Sequence, residues 1–203
     1  DYVDERHWLP GEGKIDWMAL LAAFEAVGYH GVFNYETTAS LSEIKENYDN
    51  YDGFVVCHGT DTMSYTASMI SYMVQHSPKP IVFTGSQQPI DKEDTDGRIN
   101  LRDSFLYAAS DFACDVVIVF QGNVIAGTRA KKVRTKSFNA FSSIDYPEVA
   151  YIRAGQVRYY IRENQTGPVE FYDKLDTRVF VIKLIPGMDP GILDYVAANA
   201  SAV

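Results

Sequence analysis

Residues 53–120 read GFVVCHGTDTMSYTASMISYMVQHSPKPIVFTGSQQPIDKEDTDGRINLRDSFLYAASDFACDVVIVF. Three compact apolar runs stand out: GFVVC at 53–57, PIVFT at 80–84 and DVVIVF at 115–120. Short runs without polar alternation predict strands buried on both faces. Between them, MSYTASMISYMVQH and RINLRDSFLYAAS predict helices, the second with Leu101, Phe105, Ala108 and Ala109 as its apolar face. Strand, helix, strand, helix, strand within about 70 residues predicts a parallel sheet with right-handed crossovers. The expected fold class is α/β, with three layers (α/β/α) and a mainly parallel sheet.

The flanks are less regular. IDWMALLAAFEAVG at 15–28 has helical spacing, and GVFNYE at 31–36 suits a short strand. Residues 38–50 predict another helix, with Thr38 or Ser40 as cap. After Phe120 a turn signal at Gly122-Asn123 separates two apolar runs and predicts a hairpin. Residues 163–168, ENQTGP, read as a linker. Residues 178–185 read as a further buried strand, followed by a turn and a helix start. No internal repeat or low-complexity segment is visible.

Composition narrows the function. The 203 residues carry 18 Lys and Arg against 27 Asp and Glu, a net charge of −9. With 46 % hydrophobic and 22 % charged residues the chain has globular composition and is not a disordered one. The acidic balance argues against nucleic acid or an anionic membrane as partner. No window of ~18 consecutive apolar residues occurs, so no membrane span is expected. The stretch DYVDERHWLPGEGKIDW has neither the basic start nor the apolar core of a signal peptide. Cys57 and Cys114 each adjoin a β-branched apolar run, and are expected as buried free thiols in a reducing, cytoplasmic setting.

In open parallel sheets, ligands bind beyond the carboxyl ends of the strands. Two polar loops fall there: His58-Gly59-Thr60-Asp61-Thr62 and Thr84-Gly85-Ser86-Gln87-Gln88. Gly59 permits close backbone approach to a ligand, threonine hydroxyls can attack or donate, and Asp61 can neutralise a substrate ammonium. The plainer alternative is that Thr60, Asp61 or Thr62 only caps the next helix. Arg129, Lys131, Lys132, Arg134 and Lys136 place five cations in eight residues. They read either as a solvated face or as one lysine turned inward to activate a hydroxyl. His58 reads as an acid or base, or as a packing residue. Glu93, Asp94 and Asp96 lack the spacing of a calcium loop and read as solvated. No zinc spacing, P-loop or dinucleotide fingerprint occurs, so no metal and no cofactor is expected.

The segments SEIKENYDNYDGFVVCHGTDTM, KPIVFTGSQQPI, TDGRINLRDSFLYAA, VVIVFQGNVIAGTRAKKVRTKSFNAFSS and TRVFVIKLIPGMDPGIL together resemble the bacterial-type L-asparaginases, particularly the cytoplasmic type I group. The resemblance covers about three-quarters of the chain, and the HGTDT and TGSQ loops in this order are its most specific part. It implies hydrolysis of L-asparagine to aspartate and ammonia without metal or cofactor. It also implies two threonines: one in an N-terminal TGGTI motif that accepts the acyl group, and one in HGTDT acting with its neighbouring Asp and a distant Lys. By motif matching these last three are Thr60, Asp61 and Lys132, the lysine lying five residues after Gly127. Gly59, Thr60, Asp61 and Ser86 are the implied substrate-binding residues, with backbone at Thr60 and Ser86 facing the oxyanion. Dimers or tetramers are implied as well.

TGGTI itself does not occur in the sequence, and FNYETTAS stands where a carboxylate-gripping Ser segment is expected. Residues 1–40 instead resemble the end of a sugar-phosphate isomerase/epimerase TIM barrel, with Glu5, His7 and Glu36 at its metal-binding positions. The expected division is therefore 1–40, an isomerase-like segment; 41–174, an incomplete asparaginase-like N-terminal domain; and 175–203, the first β-α unit of a C-terminal domain. In the family that C-terminal domain completes the site from a neighbouring subunit. Two rival expectations are an inactive amino-acid-binding or structural remnant and a sugar isomerase fragment.

Overall fold

The computed structural model describes residues 41–202, which fall into two compact units divided between Tyr172 and Asp173. The helix and strand expected at 15–28 and 31–36, the caps Thr38 and Ser40, and Glu5, His7 and Glu36 lie outside the described residues.

Among the described residues the first unit begins with helix α1 (Leu41–Asn47), which runs into a 3-10 turn at Tyr48–Asn50. Strand β1 (Phe54–Cys57) follows, then helix α2 (Met63–Met73), the two-residue strand β2 (Val74–Gln75) and strand β3 (Ile81–Thr84). Helix α3 (Gly97–Ala108) leads to β4 (Val116–Phe120) and β5 (Asn123–Ala126). Short strands β6 (Ala130–Lys132) and β7 (Phe141–Ser143) precede β8 (Ala150–Arg153), β9 (Gln156–Tyr159) and β10 (Glu170–Phe171).

The main sheet has the order β1-β3-β4-β5-β8-β9. Strands β1, β3 and β4 are parallel, as their helical crossovers require, and β5, β8 and β9 extend the sheet by antiparallel pairing. Side chains alternate along the parallel strands. Phe54, Val56, Ile81, Phe83, Val116 and Ile118 face Ile44 of α1 and Met63, Ala67 and Ile70 of α2. Val55, Val82, Val117 and Val119 face the other way, onto Tyr107 of α3. Both faces are thus dry, which is why these strands read as unbroken apolar runs. Helix, sheet and helix form the three layers of the expected α/β class.

The hairpin after Phe120 forms one residue earlier than its Gly-Asn signal. Phe120 pairs with Asn123, and the loop is Gln121-Gly122, at φ 51° and 71°. A two-residue turn with positive φ at both positions fits the right-handed twist of its strands, and the amide of Gln121 is held by Asn100 Oδ1 at 2.9 Å. Residues 163–165 do not form a linker either. Gln165 Nε2 donates to Asp115 Oδ2 at 2.7 Å, inside the first unit.

The second unit contains helix α4 (Gly191–Asn199). The buried strand expected at 178–185 is not formed. Its only ladder contact among the described residues is the bridge Val179–Ala202, and Val181 is 95 % exposed. An apolar run becomes a strand only where a partner supplies hydrogen bonds. Neither cysteine is in a disulfide among the described residues, and both are half-buried where full burial was expected.

Candidate active site

Strands β1 and β3 end side by side, and their following loops are tied at once. The amide of His58 donates to the carbonyl of Thr84 at 2.8 Å, and Thr84 Oγ1, fully buried, donates to Val119 O of β4 at 3.0 Å. At Gly85 the chains approach so closely that a Cβ would press into the carbonyl oxygen of His58. The His58 ring hydrogen-bonds through Nδ1 to Gly59 O and packs edge-on to Phe83, the packing alternative for this residue.

Thr60 and Asp61 project from the first loop. Lys132, at the end of β6, reaches both: its Nζ donates to Thr60 Oγ1 at 2.8 Å and to Asp61 Oδ1 at 2.6 Å. Of the Lys132 side chain only 12 % is exposed, whereas 91 % of Asp61 is open to solvent. The lysine is therefore the inner member of the pair and Asp61 its solvent-facing one. Lys131 and Lys136 are exposed, and Arg134 donates to Asn139 O on its own loop. Helix α2 begins after Thr62, which makes no side-chain cap bond. The capping role weighed for this loop is not what engages Thr60 and Asp61.

Sequence reasoning missed Gln87. Thr60 Oγ1 donates to Gln87 Oε1 at 2.8 Å, while Gln87 Nε2 donates to the carbonyls of Thr135 and Ser137 at 3.1 and 3.2 Å. One carboxamide thus joins the HGTDT loop, the TGSQ loop and the segment between β6 and β7. Ser86 lies half-buried beside it, its Cβ near Gly97 at the start of α3. The loop is anchored from beneath by Asp96, which is buried and not solvated as its acidic neighbourhood implied. Its carboxylate accepts the amides of Gln87 and Gln88 at 2.9 and 3.1 Å and Asn100 Nδ2 at 3.1 Å. Asn100 also donates to Gly85 O at 2.9 Å. Glu93 and Asp94 are exposed as expected.

No group of three or more His, Cys, Asp or Glu side chains among the described residues is placed to hold a metal ion. No described helix is long and apolar enough to cross a membrane.

Together these features define a class: an α/β domain with its polar loops at the carboxyl ends of parallel strands. Residues 34–165 match the model of the family described as Asparaginase, N-terminal. The L-asparaginase of Thermococcus kodakarensis is 40 % identical over 160 residues, covering 78 % of this chain and 48 % of the relative. Its solved structure superposes with a TM-score of 0.75 at 36 % identity, covering 79 % of this chain and 49 % of that one. L-asparaginase 1 of Escherichia coli K12 is 40 % identical over 126 residues, 62 % of this chain and 36 % of the relative. A glutamyl-tRNA(Gln) amidotransferase component of Methanosarcina acetivorans is 32 % identical over 171 residues, 79 % of this chain and 40 % of the relative. The chain belongs to the asparaginase family of amidohydrolases. It spans about half the length, or less, of these curated relatives.

Proposed function

We propose that the chain carries an L-asparaginase-type site in which Thr60, Asp61 and Lys132 act together on the side-chain amide of L-asparagine. The observation that carries this is the contact of Lys132 Nζ with both Thr60 Oγ1 and Asp61 Oδ1, across some seventy residues of sequence. A lysine donor against a hydroxyl oxygen stabilises negative charge building on that oxygen, or on a water bound to it, during attack on the amide carbon. Asp61 orients the lysine and offers a solvent-facing carboxylate to the substrate ammonium. The backbone N–H groups of the Thr60 and Ser86 loops are the oxyanion donors in this scheme. The products are aspartate and ammonia.

No TGGTI stretch occurs among the 203 residues, so the scheme assigns the acyl-accepting threonine to none of them. A site without a covalent route is slower by orders of magnitude. These 203 residues, purified by themselves, are therefore expected to release ammonia slowly from L-asparagine. Lys132→Met should lower that rate by about 10²–10⁴-fold. Equal rates in the two proteins would overturn the role of Lys132. Turnover comparable to a complete family member would overturn the need for the second threonine. In keeping with the family, the active form is proposed to be a dimer or tetramer in the cytoplasm, with domain boundaries at 40/41 and 174/175.

A further inference from the structure

Gln87 does more than fill its loop. The carbonyls of Thr135 and Ser137 accept hydrogen bonds and cannot donate them, so the Gln87 carboxamide must turn its NH2 group towards them. That leaves Oε1, a pure acceptor, facing Thr60. A threonine hydroxyl has one proton, and it is then committed to Gln87. The lone pairs of Thr60 Oγ1 are left for Lys132 Nζ, which must be the donor in that contact.

We propose that Gln87 is a positioning residue: its carboxamide fixes the direction of the Thr60 hydroxyl proton and so presents the oxygen lone pairs to Lys132. The inference rests on the proposed role of Thr60 beside Asp61 and Lys132, and its geometry makes Lys132 a donor to the Thr60 oxygen in the resting site. Three loops set the direction. Asp96 holds the Gln87 backbone, the segment after β6 holds its NH2 group, and Thr60 receives the result. Were the carboxamide reversed, its NH2 group would face Thr60, and its oxygen would face two carbonyl oxygens. The second arrangement is repulsive, so the direction is built in and is not a free rotamer.

Two near-isosteric changes separate the halves of this device. Gln87→Met removes both the acceptor and the donors. Gln87→Glu keeps acceptor oxygens but sets one of them against the carbonyls of Thr135 and Ser137, which no longer hold the group in place. The readout is the hydroxyl torsion of Thr60, from the three-bond coupling between its hydroxyl proton and Hβ in the labelled chain at low temperature. The wild-type chain should show one torsion, and Gln87→Met and Gln87→Glu should show averaging over two or more. Amide shifts at Thr135 and Ser137 should move in both variants. Averaging in wild type, or an unchanged single torsion in Gln87→Met, overturns the proposal. If Gln87→Met does not fold, Thr60→Val is read instead. There the two side-chain NH2 resonances of Gln87 should stay sharp and separate, because the Thr135 and Ser137 carbonyls hold the amide without Thr60, and resonances that broaden or average overturn the proposal. Where turnover is measurable, kcat for L-asparagine should fall up to about 10²-fold in Gln87→Met with KM changed less than about threefold. The coupling measurement does not need turnover, so a chain that releases no ammonia refutes the asparaginase function and leaves the Gln87 result to stand or fall alone.

Discussion

At the scale of single residues, the site depends on which groups are sheltered. Lys132 is covered where its neighbours Lys131 and Lys136 are not, and that difference selects one cation from five. Charge counting did not resolve it; the resemblance singled out Lys132, and the fold brings that lysine to Thr60 and Asp61. Gln87 was illegible because its role comes from an amide spanning three loops, a property of no local pattern. Asp96 was misread because its neighbours Glu93 and Asp94 are solvated, while helix α3 turns Asp96 under the loop. The cysteines provide a separate residue-scale test. Burial, helped by the nearby Asp115 carboxylate, pushes the Cys114 thiol up to about 12. The folded protein then holds that proton longer than the unfolded chain does. Its stabilising effect is complete below the unfolded thiol's ordinary value and is lost as pH climbs through about 12. Denaturant midpoints between pH 9 and 12 should fall more steeply in wild type than in Cys114→Ala, and the same slope in both would contradict this. At pH 8, alkylation of Cys114 should be slow.

At the scale of elements, the β1-α2-β3-α3-β4 run was legible because both faces of its strands are buried. The hydrophobic run alone then reports the strand. The same signal failed at 178–185, where a comparable run meets, among the described residues, only the Val179–Ala202 bridge. Composition identifies a candidate strand, but pairing decides it. The junction between the two polar loops yields a sharper prediction. A Cβ at position 85 meets the His58 carbonyl and crowds the Met63 methyl at 2.9 Å. Gly85→Ala should cost about 1–3 kcal/mol in urea unfolding and should separate the HGTDT and TGSQ loops. An unchanged midpoint would show that the two strand ends are free to move apart.

At the scale of the whole molecule, a buried polar network ties the site to the sheet. Asp96 gathers the Gln87 and Gln88 amides and Asn100, and Asn100 reaches both Gly85 and the β4–β5 turn. Removing the acceptor in Asp96→Ala orphans three donors at once, so a loss of about 3 kcal/mol is expected by denaturant unfolding. A change within about 0.5 kcal/mol would mean that water replaces the carboxylate freely. Hydrogen exchange should divide the described residues in the same way as their contacts. Amides of β1, β3 and β4 should be the slowest, and those of 181–185 among the fastest, because their backbone is outside any ladder.

The central claim is that Thr60, Asp61 and Lys132 form an amino-acid amide site, with Asp61 as its ammonium acceptor. Calorimetric titration with L-aspartate, the expected product, tests it most directly. The chain should bind one L-aspartate per site, at least tenfold more weakly in Asp61→Ala and equally well in the exposed-cation control Lys131→Ala. No heat of binding in the wild-type chain, or equal affinity in Asp61→Ala, would contradict it.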